Sequence, residues 1–332
     1  MAIAGNEDHK QRVNLSGLAR TVIELDQSTF GDSGNLSGFL NRIITAFRDK
    51  ADASIDLAVT ERQQQLLEDG YALDVANRLT EEYRRQLMRK KEAYPQGDSL
   101  MFRLNNYNFD LLYTQRLESN AYSAPSKYLK ALLEEYARLS PSERERVYYG
   151  ELISSILAPA MDAGYLLDVQ VSGKRYLVKP HNLMADPYNS HLYLTGYARR
   201  ADKTAEEENI ASFRVSRLAG VKAKKQPGGR LSAEQKREME KQLQQVGVQY
   251  LVGTRDQIKV RLTPAGQQAF LQRSYMRPLP ECIEGDVYCF CCAPMQIRNY
   301  FLSFGKEAQV LEPASLRKEF LKIYREAARA YE

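Results

Sequence analysis

Hydrophobic and polar positions repeat along this chain with two periods, and each change of period marks a new element. Lys10-Gln-Arg-Val-Asn-Leu15 alternates with period two, so Val13 and Leu15 share one face of a strand. Lys10, Arg12 and Asn14 share the other. The period then turns helical at Leu18, Val22 and Leu25, and this helix is predicted to end near Phe30. Gly31 to Gly34 reads as a turn, and Asn35 or Ser37 caps a second helix. Its apolar stripe is Leu36, Phe39, Leu40, Ile43, Ile44 and Phe47. The helical pattern holds from Ala53 to Lys91, where Arg84, Arg85, Arg89, Lys90 and Lys91 suit a helix C-terminus or a polyanion. Tyr94 to Asp98 breaks it. A strand is predicted over 101–104, with helices over 108–118 and 125–139. A further helix, opened by Ser140 and Pro141, runs to about Leu157 and stops at Pro159.

Beyond residue 160 short strands dominate. Tyr165–Val171 and Arg175–Val178 precede His191-Leu-Tyr-Leu-Thr-Gly196, in which Leu192 and Leu194 face one way and Tyr193, Thr195 and Tyr197 the other. That pattern predicts a half-buried strand. In Phe213-Arg-Val-Ser-Arg-Leu218 the alternation puts Arg217 on the parity of Phe213 and Val215. A cation aimed at a core needs a carboxylate, a carbonyl or a bound anion. Closely spaced strands of this kind suggest a small barrel or curled sheet. Residues 201–209 read as an exposed loop. Lys222, Lys224, Lys225 and Arg230 around Pro227-Gly-Gly229 read as a flexible basic linker. A charged helix over 232–246 follows. Strands at 257–262, 287–293 and 309–311 then alternate with helices at 264–273, 294–304 and 313–331, an order that builds a sheet with helices on one face.

At 332 residues the chain is long enough for two or three domains, and 43% apolar with 27% charged residues is ordinary for a water-soluble protein. No apolar run approaches the roughly 20 residues of a membrane helix, and no signal-peptide core precedes Gln11. The expectation is a cytoplasmic protein without membrane contact. The net charge of +5 permits a polyanion partner without requiring one. The first 52 residues hold six Lys/Arg against seven Asp/Glu, a balance of −1. Cys289, Cys291 and Cys292 lie on one apolar strand and Cys282 nearby, without paired Cys-x-x-Cys knuckles. They read as reduced core thiols, so neither a metal nor a cofactor is expected.

Strand, helix, turn and helix over residues 1–52 resemble a ribbon-helix-helix domain. Such a unit is too small to bury its own core. Pairing with a second copy would put Lys10, Arg12 and Asn14 against DNA bases, with the second helix N-terminus at a phosphate. A dimerisation ribbon with little base readout is the competing reading. Tyr176-Leu-Val-Lys-Pro180, Leu192-Tyr-Leu-Thr-Gly196 and Phe213-Arg-Val-Ser-Arg-Leu218 resemble a WYL domain. Here Leu192 stands at the name-giving tryptophan and Ala211 at a frequent arginine. Gln296–Gly305 and Val310–Pro313 resemble the extension that follows many WYL domains. Together with Leu139–Arg146 and Leu262–Gly266, the arrangement is similar to WYL accessory proteins of type VI-D CRISPR systems.

This resemblance implies an α+β chain in four segments. A ribbon-helix-helix module spans 1–52 and a helical connector 53–158. A small Sm-like or SH3-like WYL β-barrel spans 159–228, and a C-terminal α/β extension 229–332. It further implies a homodimer that binds single-stranded RNA and boosts a type VI-D CRISPR effector in antiviral defence. The alternative is a duplex-DNA-binding transcription regulator whose WYL domain senses a nucleotide or nucleic-acid ligand. Arg214 and Arg217 suit phosphate, Tyr193 offers a face and a hydroxyl, and Lys179 and His181 would add donors past a strand end. For Arg217 a structural ion pair competes with this role, and for Tyr193 barrel packing does. No HExxH, GxSxG or phosphate-loop motif accompanies His9, His181 and His191, so no enzyme is expected.

Overall fold

A computed structural model describes residues 9–30, 35–93, 97–115, 122–204, 208–251 and 256–332. The expected turn at 31–34, and parts of the expected break at 94–98, helix at 108–118 and loop at 201–209, lie outside them. The chain divides into two compact units. Residues 1–155 with 189–191 form one, and residues 156–188 with 192–332 the other.

In the first unit β1 (Lys10–Asn14) leads into α1 (Gly17–Thr29), α2 (Leu36–Ala51), α3 (Ala53–Glu68) and α4 (Leu73–Glu92). The helical pattern over 53–91 is thus two helices, turned at Gly70, whose φ of 85° suits a residue without Cβ. β2 (Ser99–Arg103) follows and pairs antiparallel with β1, Lys10 opposite Arg103 and Asn14 opposite Ser99. A partner strand for the ribbon is therefore supplied by this same chain. The physical reason is matched alternation: Val13, Leu100 and Phe102 are all buried, so the two strands close one apolar face together. That face joins Ile23, Phe39, Ile43, Leu129, Leu132 and Tyr136 in one core that continues well past residue 52.

α5 (Asn106–Phe109) continues into a wide turn to Gln115, and α6 (Pro125–Arg138) precedes α7 (Pro141–Tyr148) and one-turn α8 (Gly150–Leu152). A capping box between Ser140 and Glu143 starts α7. Pro159 does not end this helical run. The chain widens to a π-helical turn over Ile153–Leu157, which accommodates the missing N–H, and α9 (Ala158–Ala163) carries on to Gly164.

In the second unit β3 (Tyr165–Val171), β4 (Lys174–Ala185), β5 (Leu192–Arg200) and β6 (Asn209–Arg214) form a meander. β7 (Leu218–Pro227) returns to pair with β3, giving the order β6-β5-β4-β3-β7 of a small Sm/SH3-like barrel. β7 is where a flexible basic linker is expected from the sequence. Lys222 and Lys224 alternate along a paired strand instead, with Lys222 opposite Asp168 and Lys224 Nζ 3.7 Å from that carboxylate. β4 and β5 approach so closely at their bulge that a Cβ on Gly196 would collide with the Lys179 carbonyl.

α10 (Ala233–Val246), opened by a Ser232–Gln235 capping box, connects to the C-terminal extension. There β8 (Asp256–Leu262), α11 (Pro264–Gln272), β9 (Cys282–Glu284), β10 (Val287–Cys292), α12 (Pro294–Phe301), β11 (Ala308–Glu312) and α13 (Ala314–Arg329) follow. The sheet order β11-β8-β10-β9, antiparallel throughout, is the ferredoxin-like split arrangement. The expected α/β alternation thus folds as α+β, because the extra strand β9 makes a hairpin with β10 and reverses it. Phe270, Phe290, Ile297, Phe301 and Phe320 fill the space between sheet and helices.

Candidate nucleic-acid interface

The basic run of α4 stands apart, with Arg84, Arg85 and Arg89 around a cavity of about 490 Å³ and Lys91 buried against the Ala51 carbonyl and Asp52. Two further surfaces hold the other cations expected from the sequence. On the first, β1 keeps its predicted alternation: Lys10, Arg12 and Asn14 are exposed, and Gln11 and Val13 buried. Arg12 donates from Nε to Ser99 Oγ at 2.8 Å, and Arg20 donates to the Ser99 carbonyl at 3.2 Å. Opposite them Met101 is 71% exposed. The ribbon face is open, and at its Lys10–Arg103 end Arg103 borders a cavity beside α2.

The second surface lies in the barrel. Tyr193 and Arg214 are cross-strand partners on β5 and β6, so they share a face. After Arg214 the chain does not continue as a strand. Val215–Arg217 forms a 3₁₀ turn, and this resets the parity. Val215 stays buried while Arg217 turns outward and is exposed. The expectation of a cation aimed at the core is therefore corrected by one turn of backbone. Among the described residues Arg217 has no ion-pair or hydrogen-bond partner.

Tyr193, Arg214 and Arg217 line a cavity of about 380 Å³. Tyr176 and Phe213, their ring centroids 5.3 Å apart, add aromatic wall from the barrel. Gln249 and Tyr250 come from a 3₁₀ turn after α10, Met276 from the segment after α11, and Met295 and Asn299 from α12. Burial, the largest influence, pushes the Tyr250 phenol up to about 12; a hydrogen bond with Asn299 opposes it, and Tyr275 and Tyr193 add to the rise. Ser212, 5% exposed, has an enclosed hydroxyl without a partner, and so does the side-chain oxygen of Gln249. Both line the cavity. A buried polar atom without a partner costs free energy unless a ligand or water satisfies it.

Lys179 and His181 are not brought to this cavity. Lys179 Nζ is 2.7 Å from Glu208 and half-buried. The His181 imidazole is held below its usual value, first by burial and then by Lys236, with Glu240 opposing; both of those neighbours are on α10. Tyr197 donates to Glu238 of the same helix at 2.8 Å. The α10 side of β5 is therefore covered, and the strand expected to be half-buried is buried on both faces from Leu194 to Ala198. Alternation finds Tyr193 and Arg214, whereas only the 3₁₀ turn brings Arg217 beside them. Alternation does not single out Tyr176 and Ser212 on the barrel strands, and it misses Gln249, Tyr250 and Asn299, which lie outside the barrel and carry no motif.

A larger cavity of about 510 Å³ stands at the N-terminus of α2, beside Asn35, Ser37, Asn41, Arg42 and Arg103. Its polar groups are largely satisfied. Asn41 donates to the carbonyls of Ser37 and Arg103, Ser37 Oγ accepts from the Arg103 amide, and Arg42 lies 4.7 Å from the Tyr148 ring centroid. Chemical need, rather than size, favours the barrel cavity.

The fold and the cavity together define a class: a small Sm/SH3-like barrel followed by a ferredoxin-like extension, with an aromatic and cationic pocket. Residues 291–328 match the family model of the WCX domain. The chain shares its fold with a protein whose structure is described as a crystal structure of a CRISPR Cas-related protein. That match has a TM-score of 0.76 and 24% identity, and covers 99% of this chain and 95% of the other. Proteasome accessory factor B/C of Arthrobacter aurescens overlaps loosely, with a TM-score of 0.29 and 15% identity over 67% of this chain and 35% of its own. No curated protein matches the sequence. Among the described residues no helix is long and apolar enough to cross a membrane.

Proposed function

We propose that this chain is a non-catalytic CRISPR accessory protein that binds single-stranded RNA in the barrel cavity and enhances an RNA-guided RNA nuclease. The observation that carries the reading is the cavity's composition. Tyr193, Tyr176 and Tyr250 offer faces for a base, and Arg214 and Arg217 offer cations for a phosphate. Ser212, Gln249 and Asn299 offer polar atoms for a base edge. A single-stranded base can be splayed into such a cavity, whereas a stacked and paired base cannot enter it. The WYL resemblance, the WCX match and the fold shared with a CRISPR Cas-related protein support the accessory role.

One observation favours a second reading. Lys10, Arg12 and Asn14 stay exposed on a ribbon that also carries Arg103, a surface of the kind that enters a DNA major groove. In that case the chain is a duplex-DNA-binding regulator.

A binding titration of single-stranded RNA and duplex DNA of equal length, over a salt series, separates the two. The expected outcome is tighter binding of RNA at physiological salt, with log affinity falling linearly in log salt. Equal and weak binding of both removes the first reading. Preference for duplex DNA, lost on Arg12→Ala with Asn14→Ala, establishes the second. RNA cleavage by the purified chain alone, abolished by a point substitution, would end the non-catalytic view.

A further inference from the structure

The ferredoxin-like sheet carries a group of ligating side chains that nucleic-acid binding does not use. β9 and β10 form a hairpin at the sheet's edge, turned at Gly285 with φ 65°. Cys282 stands opposite Cys289, and Glu284 opposite Val287. Period-two alternation therefore puts Cys282, Glu284 and Cys289 on one face. Their two sulfurs and a carboxylate oxygen all lie within 4.8 Å of one another. All four cysteines of the chain are free thiols. Cys282 and Glu284 are exposed, so an ion has access from solvent. The Cys289 thiol is pushed up to about 11, first by its hydrogen bond with Cys282, then by burial and Glu284.

We infer that Cys282, Glu284 and Cys289 form a binding site for a thiophilic divalent cation of the zinc class. Two thiolates and one carboxylate supply three ligands of a tetrahedron, and water completes it. Metal–sulfur bonds of about 2.3 Å require the sulfurs to stand roughly 3.8 Å apart, so a group already within 4.8 Å closes by about an ångström at most. Binding releases the thiol protons to solvent. Soft sulfur donors disfavour magnesium and calcium. Lys259, the β8 neighbour of Cys289, lies 3.4 Å from Glu312, which counters its charge beside the site. An ion there ties β9, only three residues long, to the rest of the sheet. The Cys-x-Glu-x₄-Cys spacing contains no Cys-x-x-Cys knuckle. Strand register, rather than local sequence, assembles the site.

The test is titration of the reduced, untagged full chain with Co²⁺ and Cd²⁺, followed by absorbance. The expected result is one ion per chain with a sulfur-to-metal charge-transfer band, displaced by Zn²⁺. The band disappears in Cys282→Ser and in Cys289→Ser, weakens in Glu284→Gln and persists in Cys291→Ser. Cys282 sits on an exposed edge strand, so its variant keeps the fold, which the far-UV circular dichroism checks. Absence of a band in the reduced protein overturns the inference. So does a band that survives Cys282→Ser, or one lost in Cys291→Ser.

Discussion

Arg144 in the first unit and Arg217 in the second are both arginines beside aromatic side chains, and their surroundings give them opposite roles. Arg144 grips Asp26 with two nitrogens, at 2.6 and 3.3 Å, and Tyr136 donates to the same carboxylate at 2.8 Å. All three side chains are buried, in a junction of α1, α6 and α7. Tyr136 is pushed well above the usual phenol range, first by burial and then by the Asp26 charge. Arg217 stands exposed at the rim of a cavity, with no carboxylate beside it among the described residues. A cation already neutralised by a buried acid holds the fold, whereas an exposed one at a cavity's edge can meet a ligand's anion. Lys179, committed to Glu208, belongs with Arg144 despite its place in the barrel.

The largest expected effect tests the structural side of this contrast. Arg144→Ala leaves the Asp26 carboxylate buried without its cation and should cost about 3–5 kcal/mol of stability, read from urea unfolding of the first unit. A loss under about 1 kcal/mol would mean that water reaches Asp26 and that the junction is not closed. Next comes Arg214→Ala with Arg217→Ala. Losing two charge-assisted phosphate contacts should weaken single-stranded RNA binding by about 100-fold and reduce the salt slope by about 1.4, with little change in melting temperature. Unchanged affinity would take the cavity out of the function.

Tyr193→Ala should cost about 10-fold in RNA affinity, and Tyr193→Phe should restore most of it if stacking is the tyrosine's contribution. Equal losses in both variants would assign the role to the hydroxyl instead. The smallest effect concerns the covered side of the barrel. His181 is held below the ordinary imidazole value, so its neutral form is the one that fits the folded state. The associated stability is therefore present above the unfolded value and is lost as pH falls through the lower folded value. The melting temperature should therefore drop between about pH 7 and pH 5, less so in His181→Gln. An identical pH dependence in that variant would exclude His181 as the cause.

Much of the fold is legible from periodicity. The exposed Lys10, Arg12 and Asn14, the α2 stripe, the barrel meander and the helices of the extension follow from patterns that a local period reports directly. The errors fall where two local signals compete. Pro227-Gly-Gly229 suggested a linker, yet the lysines before it alternate along β7. Pro159 suggested a stop, yet a widened turn absorbs it. Strict alternation through Arg217 missed a 3₁₀ turn, which three residues with no glycine or proline do not announce.

The sequence by itself determined which faces of β1 and α2 are apolar, because side-chain direction follows from backbone period alone. It also supplied the cations and aromatic rings from which a recognition surface can be built. Only the tertiary structure decided which of them work together. Intrachain pairing gave β1 its partner in β2, Glu208 took Lys179, and α10 covered His181. The segments that bring Gln249, Tyr250 and Asn299 to Tyr193, Arg214 and Arg217 lie some tens of residues away along the chain. Contacts of that range depend on how whole elements pack, and no local period encodes them.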